Sequence, residues 1–142
     1  MTRVNIIYPR MLTDQHLVAE RLELTWVLSS AQRSLASKYG LSTHPNYTLG
    51  SGHISFFHDK LGYIRDRFGE LTSEMLNRGM SPKMPWPDDS WVPDDMKKPY
   101  APSLADVDVI IGRIRERLLM KPSWYRYWGK PVDLEWIKYR YG

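Results

Sequence analysis

Cysteine is absent from these 142 residues, which excludes a disulfide framework and a thiolate metal site and fits a reducing compartment. No apolar run approaches the roughly 18–20 residues that a membrane span needs. The opening MTRVNIIYPR lacks the long apolar stretch of a secretory signal. No membrane partner is therefore expected. Internal repeats, low-complexity tracts and convincing strand alternation are missing too. There is no Gly-x-Ser-x-Gly elbow, no His-Glu-x-x-His and no zinc-finger spacing. Gly50-Ser51-Gly52-His53 lacks the Lys-Ser/Thr ending of a phosphate-binding loop and reads instead as a tight lead-in to a helix.

What is present suits an ordinary globular chain. Hydrophobic residues make up 42% and charged residues 25%, and the length fits one compact domain over 1–142 with a modest core. The net charge of +4 is compatible with a polyanionic partner but is too mild to identify one. Three helices are predicted. The first starts at an N-cap on Thr13 and runs to about Lys38, with Leu17, Leu24, Leu28, Ala31 and Leu35 as its buried stripe. The second begins soon after Gly52, buries Phe57, Leu61, Ile64, Phe68, Leu71 and Met75, and stops at Gly79. The third follows Ser103, with Asp106 completing an imperfect capping box. It turns Val107, Ile110, Ile111, Ile114 and Leu118 inward and ends at Pro122. The proline-rich stretch 80–102 is expected to be an ordered excursion pinned by Trp86 and Trp91. The class is all-α with long loops and an aromatic-rich C-terminal tail.

Three features are able to carry chemistry. Thr2 follows the initiator Met, and its small side chain permits removal of that Met, which would expose an α-amine beside Arg3. Such an amine has a pKa of about 7.7–8.0, so roughly a tenth is neutral at pH 7, and nearby cations raise that share. Many chains begin Met-Thr, so the feature alone says little. His16, Glu20 and Glu23 share a helical face next to Asp14 and Gln15, where a carboxylate would steady a cationic imine and move protons. A solvated polar face is the plainer reading. No further ligand cluster supports a metal at His16 and Glu20. Arg113, Arg117 and Lys121 form a basic stripe running into Trp124, Tyr125, Arg126, Tyr127 and Lys130. Interleaved cations and rings suit phosphate contact with stacking, and the same rings suit simple packing. The residues alone leave open a helical protein-interaction module as well as a nucleic-acid binder.

The blocks Met-Thr-Arg-Val-Asn (1–5), Asp-Gln-His-Leu-Val-Ala-Glu (14–20), Glu-Leu (23–24), Leu-Gly-Ser-Gly-His-Ile-Ser-Phe-Phe-His-Asp-Lys-Leu (49–61), Arg-Gly (78–79) and Lys-Pro-Ser-Trp-Tyr-Arg-Tyr-Trp-Gly-Lys (121–130) stand in one order. In that order the chain resembles the phage-type pyrimidine-dimer DNA glycosylases (phage endonuclease V family). The resemblance implies a compact three-helix monomer, cytoplasmic in a bacterial or phage-infected cell, acting on double-stranded DNA that carries pyrimidine dimers or abasic sites. It implies that the Thr2 amine attacks C1′ of the 5′ nucleotide of a cyclobutane dimer, that an imine forms, and that β-elimination nicks the strand. Base flipping accompanies the reaction, and neither cofactor nor metal is implied. Glu23 is then the essential carboxylate, with His16 and Gln15 in support. Arg3, Arg33, Arg113, Arg117 and Lys121 fall among the basic DNA contacts, and Arg21, which replaces an uncharged residue of the family, is expected to restore one contact with a different aim. The chain departs from the family at Leu22 and Trp26, which stand where the family has arginines. Losing two phosphate contacts lowers the salt slope by about two units. A non-catalytic or lesion-retargeted DNA-binding relative is the alternative. Residues 131–142 extend past the usual end with no role implied.

Overall fold

The computed structural model describes residues 3–142. It is mainly helical: α1 (Asp14–Leu35), a single turn α2 (His53–Phe56), α3 (Leu61–Asn77), α4 (Leu104–Met120) and α5 (Leu134–Tyr141), with a two-residue hairpin, β1 (Arg126–Tyr127) and β2 (Lys130–Pro131), before α5. Helix starts follow local chemistry. The Thr13 hydroxyl accepts the His16 N–H. Ser103 accepts the Asp106 N–H while Asp106 accepts the Ser103 N–H, so the capping box is complete. Each bond satisfies a donor that the first helical turn would otherwise leave open.

α1 packs along α3, and α4 packs against α5. The predicted stripe of the second helix is buried throughout, and Leu17, Leu24, Leu28, Ala31, Ile110, Ile114 and Leu118 join the same core. Two expectations are corrected, and the tail, to which no role was assigned, forms a further helix. α1 stops at Leu35, which is exposed, because the Ser34 and Ser37 hydroxyls draw the chain into a turn through Ser42 N–H and Ser34 C=O. The second helix is two pieces. Lys60 donates to the Phe56 carbonyl and closes α2, and its backbone pairs with Lys97 of the proline-rich segment before α3 begins. The tail is folded: Asp133 caps α5 by accepting the Trp136 N–H, and Val132, Ile137 and Tyr141 are buried.

The proline-rich segment is ordered, as expected. Trp86 packs on Phe68 at 5.1 Å and donates to Asp89 at 3.0 Å, Trp91 is partly buried against the core, and Val92 and Met96 are inside it.

Candidate active-site cleft

The N-terminal arm has few backbone partners of its own, so side chains from the rest of the fold hold it. His53 Nε2 accepts the Val4 N–H at 2.8 Å, and the Tyr47 hydroxyl donates to the Val4 carbonyl at 3.1 Å. Because His53 Nδ1 faces the Thr48 carbonyl at 2.8 Å, that nitrogen carries the proton and Nε2 is the acceptor. Burial holds His53 down at about 4, which keeps the imidazole neutral. Arg67 donates to the Ile7 carbonyl at 2.8 Å and forms a two-pronged buried ion pair with Glu20. Arg78 reaches the Pro9 carbonyl, the Tyr127 hydroxyl the Arg10 carbonyl, and the Tyr141 hydroxyl the Met11 carbonyl. Elements from loop to last helix thus converge on residues 4–11.

The arm forms one wall of a cleft of about 240 Å³, lined by Arg3, Asn5, His16, Ala19, Glu23, Ile110, Arg113, Ile114, Arg117 and Tyr125. α1 supplies its carboxylate and imidazole, and α4 supplies two guanidiniums one turn apart. Glu23 is half-buried, and burial lifts its carboxyl to about 7. Buried Glu20 adds to the rise, while the charge and backbone N–H of Arg3 oppose it. The Glu23 carboxylate therefore accepts the Arg3 backbone hydrogen bond. His16 stacks face to face on Tyr125 at 4.9 Å, and its Nδ1 meets the Thr13 hydroxyl at 2.7 Å. Burial first and Arg117 second hold His16 at about 4, so it is a neutral ring at pH 7. Burial, Arg113 and Arg117 push Arg3 below its usual value. Three guanidiniums facing one carboxylate make an electropositive recess fit for phosphate.

The expected residues divide as follows. Arg3, His16, Glu23, Arg113, Arg117 and Tyr125 are brought together, whereas Thr2 lies outside the described residues. Glu20 leaves the shared polar face: α1 lies against α3, and Glu20, 1% exposed, falls on the α3 side with Arg67. Arg21, expected to restore a DNA contact, is held inside the fold. It is 8% exposed, its guanidinium lies over Phe68 at 4.3 Å, and it donates to Thr72 and the Met84 carbonyl, fastening the proline-rich segment. Gln15 holds the Trp124 carbonyl at 2.8 Å and the Arg126 N–H at 2.9 Å, locking the tail to α1. Tyr127 is partly buried between Arg78 and Arg140. Arg126, Lys130 and Trp124 are exposed near the hairpin, and Lys121 lies over the Trp124 ring at 4.9 Å. Arg33 is exposed, roughly 15 Å along α1 from Glu23 at the rise of a regular helix.

Asn5, Ala19, Ile110 and Ile114 line the cleft without having been singled out. The opening block Met-Thr-Arg-Val-Asn held the signal for Asn5. Leu22 and Trp26, 42% and 48% exposed, stand on α1 beside the cleft-lining Ala19 and Glu23. Among the described residues no group of three or more His, Cys, Asp or Glu is arranged to hold a metal, and no helix is long and apolar enough to cross a membrane.

The cleft joins two parts of the chain, residues 3–23 and the α4–hairpin region. The first part lies within residues 1–88, which match the family model described as pyrimidine dimer DNA glycosylase. That match spans more than half of the 142 residues, and the chain belongs to this family of DNA-repair glycosylases.

Proposed function

We propose that the whole chain, 1–142, acts as one DNA glycosylase and abasic-site lyase whose nucleophile is the α-amine of Thr2. The reading rests chiefly on one observation: the Glu23 carboxylate, in a recess walled by Arg3, Arg113 and Arg117, accepts the Arg3 backbone N–H. Standard backbone dimensions keep the nitrogen of any residue within about 3.6 Å of the next residue's nitrogen. In the sequence the proposed nucleophile directly precedes the residue that donates this N–H.

The chemistry follows from these groups. The neutral amine attacks C1′ of the 5′ nucleotide of a cyclobutane dimer. The N–C1′ bond forms, and the base leaves with the glycosidic electron pair. Glu23 takes a proton from the attacking nitrogen, a task matched by a carboxyl whose value is about 7. The nitrogen lone pair then closes the C1′=N bond, expelling O4′, which takes up a proton as the sugar opens. Loss of a C2′ proton with departure of the 3′ phosphate completes β-elimination. The arginines hold flanking phosphates, and cations of this kind favour the neutral form of a nearby amine. Neutral His16, braced by Tyr125 and Thr13, shapes the floor.

A lesion-retargeted relative is the second reading, favoured by the exposed apolar Leu22 and Trp26 beside the cleft. It predicts an enzyme that cuts abasic duplex but not dimer duplex.

Blocking the amine tests the first reading. Acetylated protein, or protein with a residue inserted before Thr2, is expected to bind damaged duplex normally and to lose nicking by at least a hundredfold. Retained nicking would transfer the role to a lysine. Arg117→Ala is expected to weaken damaged and undamaged duplex alike and to lower the slope of log K against log salt by about one unit. A loss confined to damaged duplex would contradict a phosphate contact.

A further inference from the structure

Asn5 is 3% exposed and lines the cleft, yet its Oδ1 has no hydrogen-bond partner. A buried carbonyl acceptor without a donor is destabilising. The backbone beside it carries a second unfavourable feature. The Ile7 N–H turns back onto the Asn5 carbonyl at 2.6 Å, closing a three-residue turn whose central residue, Ile6, sits at φ +49°. A β-branched residue rarely adopts that conformation. The turn is held from both sides, by His53 and Tyr47 on Val4 and by Arg67 on Ile7. Unpaired buried polar groups and backbone strain gather where a ligand completes the structure.

The surrounding chemistry restricts the missing donor. The cleft's charged groups are three guanidiniums and one carboxylate. An intact deoxyribose–phosphate backbone offers acceptors only, with no O–H or N–H. The proposed reaction makes a donor at this place: when the nitrogen lone pair forms C1′=N and the C1′–O4′ bond breaks, O4′ keeps the bonding pair and gains the proton carried by Glu23, becoming a hydroxyl.

We infer that Asn5 is a substrate-contacting residue whose Oδ1 accepts a hydrogen bond from the hydroxyl of the ring-opened sugar. The inference rests on the reading under Proposed function and adds a residue to it. Its contribution is larger for the opened sugar than for the closed one, so it favours the step that opens the ring.

Two unreactive duplexes separate these states: one with a borohydride-reduced abasic site, whose sugar is open and bears the O4′ hydroxyl, and one with a tetrahydrofuran abasic analogue, closed and lacking it. The native protein is expected to bind the open-sugar duplex roughly tenfold more tightly, the range of one buried hydrogen bond whose partner would otherwise stay unpaired. Asn5→Leu is expected to bind the two equally and to melt no lower than the native protein, since it removes an unsatisfied acceptor. Asn5→Ala gives the same ratio should Leu prevent folding, and Asn5→Asp, which keeps an acceptor, retains the preference. Equal binding of the two duplexes by the native protein, or a preference that survives in Asn5→Leu and Asn5→Ala, overturns the inference while leaving the glycosylase reading intact. Native protein that binds neither duplex better than undamaged DNA overturns both.

Discussion

Glu23→Gln is expected to bind dimer-containing duplex as well as the native protein does and to cut it at least a hundredfold more slowly. Glutamine keeps the shape of the side chain and still accepts the Arg3 N–H, so the arm and the arginine walls stay in place. It is unable to take or return a proton, and general acid–base groups contribute about 10²–10⁴-fold. Single-turnover nicking, with binding measured by competition, separates the two effects. Nicking within tenfold of native would remove Glu23 from the mechanism. The same variant carries a signature in stability. Burial raises Glu23 from 4.5 to about 7, so the folded state holds this proton more tightly than the unfolded state. The stability this supplies is fully present below pH 4.5 and is lost as pH rises through 7. The melting temperature of Glu23→Gln relative to native should therefore increase from pH 4.5 to above 7 and then level off. A constant difference would mean that the carboxyl is not buried as described.

Arg67→Met is expected to be the most destabilising single change at a charged position. Arg67 is 3% and Glu20 1% exposed, and the guanidinium also holds the Ile7 carbonyl. Glu20 lifts Arg67 above its already high value despite burial. Removing one partner of such a pair strands the other charge in a dry interior, at a cost of about 3–5 kcal/mol. For a chain of this size that is a drop in melting temperature on the order of 10 °C or more. Replacing both, Glu20→Leu with Arg67→Met, should recover most of the loss, because two apolar side chains leave no unpaired charge. A single variant melting within about 2 °C of native would show that the pair is solvated. Because Arg67 also fixes the arm at Ile7, the double variant should regain stability without regaining full nicking.

Much of this architecture is legible in local sequence, and the illegible parts share a cause. The N-caps at Thr13 and Ser103 and the helical stripes depend on neighbours three and four residues away, so spacing reveals them. Arg113 and Arg117 are legible for the same reason. The hairpin is not: its turn places Trp128 at φ +53° and Gly129 at +80°, and tryptophan is an unusual residue there. Asp14 stabilises it by accepting the Trp128 and Gly129 N–H groups from 114 and 115 residues away. Arg21 reads as a surface cation until the proline-rich segment brings the Met84 carbonyl to it. Glu20 and Glu23 look equivalent on one helix, yet packing against α3 sends one to an ion pair and leaves the other in the cleft. Asn5 is visible in the sequence only as a member of the opening block, because its meaning lies in a partner that it lacks.

The central claim is that the amine of Thr2, activated beside Glu23, is the nucleophile. Borohydride trapping addresses it most directly, on duplexes bearing one cyclobutane thymine dimer, one abasic site or no damage. The account predicts a covalent adduct on the dimer and abasic duplexes, mapped to the residue 2 amine and absent from undamaged DNA. No adduct on either damaged duplex from protein whose N-terminus is confirmed as Thr2, or an adduct mapped to a lysine, would contradict it.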